Sequence, residues 1–233
     1  MHILLTNDDG YAAPGLSALA DAARELGEVT IVAPASHMSG CSHSATTDRP
    51  LELVEHASRC YSVSGTPVDC VRLALLELVP DVSLVLSGIN DGSNLGIDVL
   101  MSGTVAAARE AHLLGRRAIA LSQYRRRGAR PDWPQSTRLA TLALNQVLSR
   151  MDSSAELWNI NLPDLAVRQD AEVVECPVDR EPLAMRYQAN GNRWNYVSDY
   201  HQRPRQAGTD VAVCFAGKIT ISRLTVSDLV AGV

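Results

Sequence analysis

The chain has 233 residues, of which 46% are hydrophobic and 20% are charged, so it can bury a sizeable core and is not a disordered protein. Its 26 acidic and 21 basic residues give a net charge of −5, which argues against nucleic acid as the main partner. No apolar run approaches the roughly 18 residues of a membrane span. Five scattered cysteines without a Cys-x-x-Cys pair are typical of reduced thiols, so we expect a cytoplasmic protein that is not bound to a membrane.

The first part of the chain predicts a strand, a helix and a second strand. Residues 2–6 form a short apolar run, and a helical pattern then begins near Pro14 and ends at Gly27. Residues 29–33 form another apolar run. A strand, a crossover helix and a strand of about this length predict two parallel strands with a right-handed connection.

The same pattern continues as far as Pro163, and strands alone follow it. Further strands are predicted at 51–55, 61–64, 82–86, 118–121 and 157–162, and helices at 68–79, 104–114 and 136–150. Beyond Pro163 the strand candidates are 172–176, 185–189, 193–197 and 218–224, the middle two joined by a hairpin turn at 190–192. We therefore expect an α/β protein: a doubly wound, mostly parallel core over residues 1–165 and a β-rich extension over residues 166–233.

Three polar loops follow three of the predicted apolar strands. They read NDDG at 7–10, SHMSG at 36–40 and SGINDGSN at 87–94. In an open parallel sheet, ligands bind beyond the carboxyl ends of the strands, where these loops meet. The adjacent carboxylates of Asp8 and Asp9 are costly at a buried strand end unless a cation compensates their charge. Oxygen donors of this kind suit Mg²⁺ or Mn²⁺, so the pattern predicts a metal site.

Other features leave alternatives open. Residues 102–104 precede a predicted helix, where backbone N–H groups can bind phosphate or the hydroxyls can simply cap the helix. His37 and His43 are either proton donors or ordinary surface histidines. The arginine run at 125–127 is either an anion patch or a solvated face. The motifs of P-loop NTPases, dinucleotide oxidoreductases and α/β-hydrolases are absent from the sequence.

Several segments together resemble the SurE family, the survival-protein-E nucleotidases. They are NDDGYAAPGL at 7–16, APASHMSG at 33–40, GTPVDC at 65–70, SGINDGSNLG at 87–96, SGTVAAA at 102–108, NINLPD at 159–164 and AGTDVAV at 207–213. The resemblance implies a Rossmann-like three-layer αβα sandwich with a C-terminal extension that joins subunits into a homodimer or homotetramer. It also implies metal-dependent hydrolysis of nucleoside 5′-monophosphates to nucleoside and phosphate, and in some members of 3′-nucleotides or short polyphosphate.

The resemblance further implies a set of site residues. One divalent cation per subunit, Mg²⁺ or Mn²⁺, would be held by Asp8, Asp9, Ser39 and Asn90. The phosphate would lie among Asn94, Ser102, Gly103 and Thr104. Asp8 is also expected to orient the attacking water, and Asn94 to hold phosphoryl oxygens, so these two are the expected catalytic residues. A non-catalytic nucleotide sensor and a broad polyphosphatase remain alternatives on the same scaffold.

Overall fold

The computed structural model of the protein describes residues 1–152, 155–164 and 171–225. Its helices are α1 (Pro14–Ala23), α2 (Pro67–Leu73), α3 (Gly103–Leu113), α4 (Trp133–Leu148) and α5 (Asp210–Phe215). Its strands are β1 (His2–Thr6), β2 (Glu28–Pro34), β3 (Leu53–Ala57), β4 (Cys60–Val63), β5 (Leu84–Asp91), β6 (Arg117–Gln123), β7 (Leu157–Leu162), β8 (Val173–Glu175), β9 (Tyr187–Asn190), β10 (Arg193–Tyr196) and β11 (Ile219–Leu224).

Nine of these strands form one mixed sheet in the order β3-β4-β2-β1-β5-β6-β7-β11-β8. The pairs from β4 through β7 are all parallel, whereas β3 and β11 run antiparallel to β4 and β7. Strands β9 and β10 pair only with each other, as a hairpin outside the main sheet. The fold is therefore a Rossmann-like α/β fold with a mostly parallel sheet.

Helices cover both faces of this sheet and bury two separate apolar clusters. On one face, α1 and α4 pack against the sheet through side chains that include Leu16, Leu19 and Leu139. On the other face, α2 and α3 contribute Val71 and Val105 to a second cluster. The central strands β1 and β5 read as continuous apolar runs because both of their faces are covered.

The chain changes direction across the sheet between β1 and β5. From β1 it first moves outward through β2 to β4, and it then returns to the other side of β1 as β5. At such a switch point the loops at the carboxyl ends of the strands diverge and leave a crevice. Gly88 in β5 has a φ of +140°, and a Cβ there would lie 2.2 Å from the carbonyl oxygen of Leu121, so only glycine allows this close approach of β5 to β6.

The predicted elements are largely confirmed, with three corrections. Strand β5 continues through Asp91, so the segment SGIND at 87–91 is strand and not loop. The helix predicted at 68–79 ends as an α-helix at Leu73 and continues as a wider turn over Ala74–Leu78. Helix α5 is absent from the sequence-based prediction, because six residues are too few to show a period.

Strands β8 and β11 extend the main sheet beyond the expected boundary near residue 165, and the division into 1–165 and 166–233 stays a prediction. The parts of that prediction that fall on residues 165–170 and 226–233 lie outside the described residues. Within the described ranges, no helix combines the length and apolarity needed to cross a membrane.

Candidate active site

Two adjacent carboxylates follow β1 at the switch point. The segment is held by Asn7, whose side chain donates to the carbonyl oxygen of Gly10 at 2.9 Å and accepts from its N–H at 3.1 Å. This closed turn fixes Asp8 and Asp9 between its two ends. Asp8 is 4% exposed, whereas Asp9 lies nearer the surface, and both lie where the switch point leaves a crevice.

Asp8 is buried without a basic partner. Its Oδ1 accepts a 2.5 Å hydrogen bond from the hydroxyl of Thr104, and its backbone carbonyl accepts from Met38 N–H at 2.7 Å. Burial raises the pKa of Asp8 above its ordinary value although the Thr104 bond opposes this, and the charge of Asp9 raises it further. A positive group close to Asp8 would relieve both effects.

Asp9 connects the crevice to the end of β5. Its Oδ2 accepts from the N–H of Asp91 at 3.1 Å, and its Oδ1 lies 3.4 Å from Nδ1 of His37. Within the described ranges, no lysine or arginine forms an ion pair with Asp8 or Asp9. Among these residues, His37 is therefore the basic group that the structure places beside the carboxylates.

The two expected neutral ligands lie on segments that contact the acidic pair. Asn90 lies near the end of β5, next to the contact between Asp9 and Asp91. Its amide nitrogen donates to the carbonyl of Gly92 at 2.7 Å, so its Oδ1 is the atom that could bind a cation. Ser39 is exposed, in the segment that Met38 attaches to Asp8. Across the described chain, no three His, Cys, Asp or Glu side chains converge as a metal cluster. A cation at this place would depend on two carboxylates and on neutral oxygens.

Helix α3 points its N-terminus at Asp8. The hydroxyl of Ser102 caps this helix by accepting from Val105 N–H at 3.1 Å, which confirms the capping alternative for that side chain. The N–H groups of Gly103 and Thr104 belong to the first turn, where the helix offers them no carbonyl partner. They present a partial positive charge to anything held between them and the carboxylates.

Gly103 packs directly against Asp8. A Cβ at this position would lie 3.0 Å from Cβ of Asp8 and 3.0 Å from Sγ of Cys41. Both distances are shorter than ordinary van der Waals contact, so the helix can approach Asp8 this closely because residue 103 has no side chain. The sequence predicts only a phosphate contact for Gly103 and gives no sign of this packing role.

Asn94 is buried and is held by three polar side chains that are absent from the sequence-based prediction. Its side-chain amide donates to the hydroxyl of Ser122 at 2.8 Å, and its backbone N–H donates to Asn161 Oδ1 at 2.9 Å. Asn159 and Asn161 both donate to its carbonyl oxygen. The sequence feature that could have indicated this network is the pair of asparagines, Asn159 and Asn161, within the buried strand LWNINL. The expected phosphate contact of Asn94 stays a prediction.

His43 lies in a partly buried charge cluster with Arg72, Arg109 and Glu110. Its Nδ1 accepts from Nε of Arg109 at 2.9 Å, so its Nε2 carries the proton that Glu110 accepts at 2.7 Å. Glu110 also accepts from Arg72 Nε at 2.5 Å. Both ring nitrogens of His43 are therefore engaged, and this histidine secures the segment after Cys41 to α3.

Asp69 secures the same segment to α2, and its replacement gives a prediction. Its carboxylate accepts from the N–H and the hydroxyl of Thr46, at 2.8 and 2.7 Å, and from the N–H of Thr66 at 2.9 Å. Burial raises the pKa of Asp69, but these hydrogen bonds outweigh it and leave the pKa below its ordinary value. Asp69→Asn loses at least one acceptor, and we expect it to lower the free energy of unfolding by about 1–3 kcal/mol at pH 7.

The stabilisation that Asp69 contributes should decrease as the pH falls. Because the pKa of Asp69 is lowered in the folded state, its stabilisation is complete above the unfolded pKa of about 3.9 and is lost as the pH falls through the folded value. Urea unfolding from pH 7 to pH 3 should show the difference between wild type and Asp69→Asn shrinking below about pH 4. The surface variant Asp21→Asn is the control. A constant difference would contradict the ionic role of Asp69.

Comparisons with known proteins identify the family of the chain. The model of the family described as survival protein SurE matches residues 3–182. A provisionally named 5′-nucleotidase of Nostoc sp. is 42% identical over 227 residues, which cover 97% of this chain and 100% of that protein. A 5′-nucleotidase SurE of Vibrio campbellii is 47% identical over 175 residues, which cover 74% and 66%. The crystal structure of the SurE protein from Aquifex aeolicus has a TM-score of 0.86 at 29% identity and covers 98% and 96%. The chain therefore belongs to the SurE family.

Proposed function

We propose that this protein is a divalent-metal-dependent 5′-nucleotidase, which hydrolyses nucleoside 5′-monophosphates to nucleoside and phosphate. The observation that carries the proposal is the buried Asp8, with Asp9 beside it, facing the unused N–H groups at the start of α3. An acidic pair beside the N-terminus of a helix suits a phosphomonoester held through a cation. The relatives of Nostoc and Vibrio carry the name of this activity.

The donor set fits one hard divalent cation per subunit. Asp8 and Asp9 supply charge, and Ser39 and Asn90 would complete the set with neutral oxygens, a combination that suits Mg²⁺ or Mn²⁺ and not zinc. The raised pKa of Asp8 supports this proposal, because a cation would offset the burial and the neighbouring charge of Asp9 that raise it. When bound, such a cation offsets the charge of the phosphate group and polarises it toward attack by water.

The chain's own groups would orient the reactants. The N–H groups of Gly103 and Thr104 would bind phosphoryl oxygens at the positive end of α3. The Thr104 hydroxyl is engaged by Asp8, so its contribution would be to hold that carboxylate in place. Asp8 would in turn hold the attacking water, and His37, whose Nδ1 lies 3.4 Å from Asp9, would protonate the departing oxygen. We also propose that Asn94 contacts the phosphate through its side-chain amide, whose nitrogen has a second N–H besides the one that Ser122 accepts.

Phosphate release tests the proposal directly. The purified protein would be assayed against nucleoside 5′- and 3′-monophosphates and short polyphosphate, with Mg²⁺ or Mn²⁺ and with EDTA. We expect turnover of 5′-monophosphates that EDTA abolishes and Mn²⁺ or Mg²⁺ restores. Tight nucleotide binding without release of phosphate would instead favour the sensor alternative, and a preference for polyphosphate would favour the polyphosphatase.

We further propose a homodimer or homotetramer joined by the β9–β10 hairpin. Its aromatic side chains are exposed, with Trp194 at 67% and Tyr187 and Tyr196 also open, so the chain's own core does not cover them. A two-stranded hairpin is marginally stable alone in water, and exposed aromatic patches mark interfaces.

Sedimentation tests this assembly. Trp194→Ser/Tyr196→Ser should lower the sedimentation coefficient to that of a monomer at micromolar concentration. The control Leu76→Ser/Leu113→Ser removes two exposed apolar side chains elsewhere. A monomeric wild type would contradict this assembly.

The cytoplasm is the proposed location. All five cysteines are free thiols: Cys41, Cys60, Cys70, Cys176 and Cys214. Burial raises the pKa of Cys176 to about 11, so its thiol stays protonated at neutral pH. Unpaired cysteines of this kind suit a reducing compartment.

A further inference from the structure

The segment between β5 and α3 is tied to a distant part of the chain that follows β10. The segment carries Asn94 and passes through a short helix, Gly96–Leu100, before it reaches Ser102 at the start of α3. Two side chains from the part after β10, Tyr200 and Arg203, bond to this segment. The groups that we propose to bind phosphate therefore have a fixed connection to the C-terminal part of the protein.

Asp98 is the residue that both side chains hold. The hydroxyl of Tyr200 donates to Oδ2 of Asp98 at 2.7 Å, and Nη1 of Arg203 donates to the same oxygen at 2.6 Å. Because the single hydroxyl proton of Tyr200 goes to Asp98, the hydroxyl of Ser93 donates to the Tyr200 oxygen, at 2.9 Å. We call Asp98, Tyr200 and Arg203 the Asp98 clamp.

The backbone of Asp98 connects the clamp to α3. Its carbonyl oxygen accepts from the N–H of Met101 at 3.0 Å and from the N–H of Ser102 at 3.1 Å. Ser102 caps α3, and Gly103 is the first residue of that helix. The side chain of Asp98 is thus bound to the C-terminal part of the chain, while its carbonyl is bound to the first turn of the helix that approaches Asp8.

The clamp also holds the two neighbours of Asn94. Ser93, before it, donates to the tyrosine of the clamp, and the carbonyl oxygen of Leu95, after it, accepts from the arginine of the clamp at 3.3 Å. The next N–H along the chain, that of Gly96, donates to Oδ2 of Asp210 at 2.9 Å. Asn94 is therefore fixed from both sides along the backbone.

Stability alone is a weak explanation for this clamp. Arg203 is 4% exposed, and within the described residues its Nε and Nη2 have no hydrogen-bond partner. Burying an ion pair costs desolvation that its attraction often fails to exceed, and unmatched buried donors add to the cost. A buried polar network can instead fix one geometry, because its bonds are directional and strong in a medium of low dielectric.

We infer that Asp98, Tyr200 and Arg203 are positioning residues, which set the first turn of α3 and Asn94 in the geometry that binds the phosphate group. The inference rests on the proposed function. The clamp acts through α3 and Asn94, not by contact with the reacting atoms. Loosening it should therefore weaken phosphate binding and turnover in protein that remains folded.

Two tyrosine variants test the inference. Tyr200→Phe removes the hydroxyl that bonds to Asp98. The control Tyr124→Phe removes a hydroxyl that bonds to Nδ1 of His201 at 3.0 Å and not to the segment between β5 and α3. Calorimetry would measure orthophosphate binding in Mn²⁺, and kinetics would measure kcat/KM for adenosine 5′-monophosphate, both well below the unfolding temperatures. We expect Tyr200→Phe to lower both quantities about tenfold and Tyr124→Phe to stay within about twofold of wild type.

Variants of Asp98 give a second test by conservative rescue. Asp98→Ala removes both bonds of the side chain, whereas Asp98→Asn keeps an oxygen that can accept from Arg203. We expect Asp98→Asn to recover part of the orthophosphate affinity that Asp98→Ala loses. Thermal unfolding of each variant would separate this effect from a loss of stability.

The outcomes distinguish the clamp from the proposed function. A Tyr200→Phe protein that unfolds at a lower temperature but binds orthophosphate as wild type does would overturn the inference, as would an equal loss of affinity in Tyr124→Phe. A wild type that binds orthophosphate but hydrolyses no nucleotide would refute the proposed function, and the phosphate affinities would still decide the role of the clamp. A wild type that binds no orthophosphate would overturn both.

Discussion

Asp9→Asn should lower kcat/KM for a nucleoside 5′-monophosphate by about 10²–10³-fold, the size of effect seen when one electrostatic contact to a transition state is removed. The substitution keeps the volume of the side chain and removes one of the two charges that would hold the cation. Its hydrogen bond from Asp91 N–H can be retained by the amide oxygen. The loss should be greatest at limiting Mn²⁺ and should be reduced, without vanishing, at saturating metal.

Asp8→Asn separates loss of chemistry from loss of fold. Because burial and Asp9 raise the pKa of Asp8, its ionised form opposes folding when no cation is present. The unfolding temperature of the variant, measured in EDTA, should equal or exceed that of wild type while turnover falls by a similar 10²–10³-fold. The control Asp21→Asn should leave both quantities unchanged. Wild-type turnover of either site variant at limiting Mn²⁺ would show that the ligand set is wrong.

The sequence predicted where the site lies more fully than how it is built. Strands β1, β2 and β5 are apolar runs that end in polar loops, and such a pattern places Asp8, Asp9 and Asn90 at one edge of the sheet. That inference needs only the rule that ligands bind beyond the carboxyl ends of parallel strands. The structure does bring these three residues to the switch point.

The contacts that fix the site were outside the reach of sequence patterns. The Thr104–Asp8 hydrogen bond joins residues 96 positions apart, and the Asn94–Asn161 bond joins residues 67 apart. Neither has a local signature, because the first depends on how α3 packs against the sheet and the second on the place of β7 within the sheet. The sequence leaves His43 as a candidate proton donor, and only the fold shows that both of its nitrogens are engaged.

The arginine run was also ambiguous by pattern alone. Runs of charge are usually solvated, and Arg125 and Arg126 do form ordinary ion pairs with Asp91 and Asp164. What distinguishes this run is that Arg127 and the nearby Arg130 line a cavity together with Tyr200 and His201. That depends on the turn of the 125–130 loop, which periodicity does not encode.

Gly103→Ala should lower turnover by about 10–10²-fold while the protein remains folded, because a small displacement of a catalytic group is costly. The new methyl group would lie 3.0 Å from Cβ of Asp8 and 3.1 Å from its Oδ2, so Asp8 must move away from α3. That movement would stretch the Thr104 hydrogen bond and misplace the carboxylate.

A second substitution tests whether crowding is the cause. Sγ of Cys41 would lie 3.0 Å from the same methyl group, and Cys41→Ala would open space on that side. We expect Gly103→Ala/Cys41→Ala to recover part of the turnover lost in Gly103→Ala. Cys41→Ala alone should change turnover by less than about threefold, because burial raises the pKa of the Cys41 thiol and a protonated thiol is not a nucleophile. Steady-state kinetics of the three variants, with thermal unfolding alongside, would measure this. Full activity of Gly103→Ala would contradict this prediction, because it would mean that Asp8 can shift without loss of turnover.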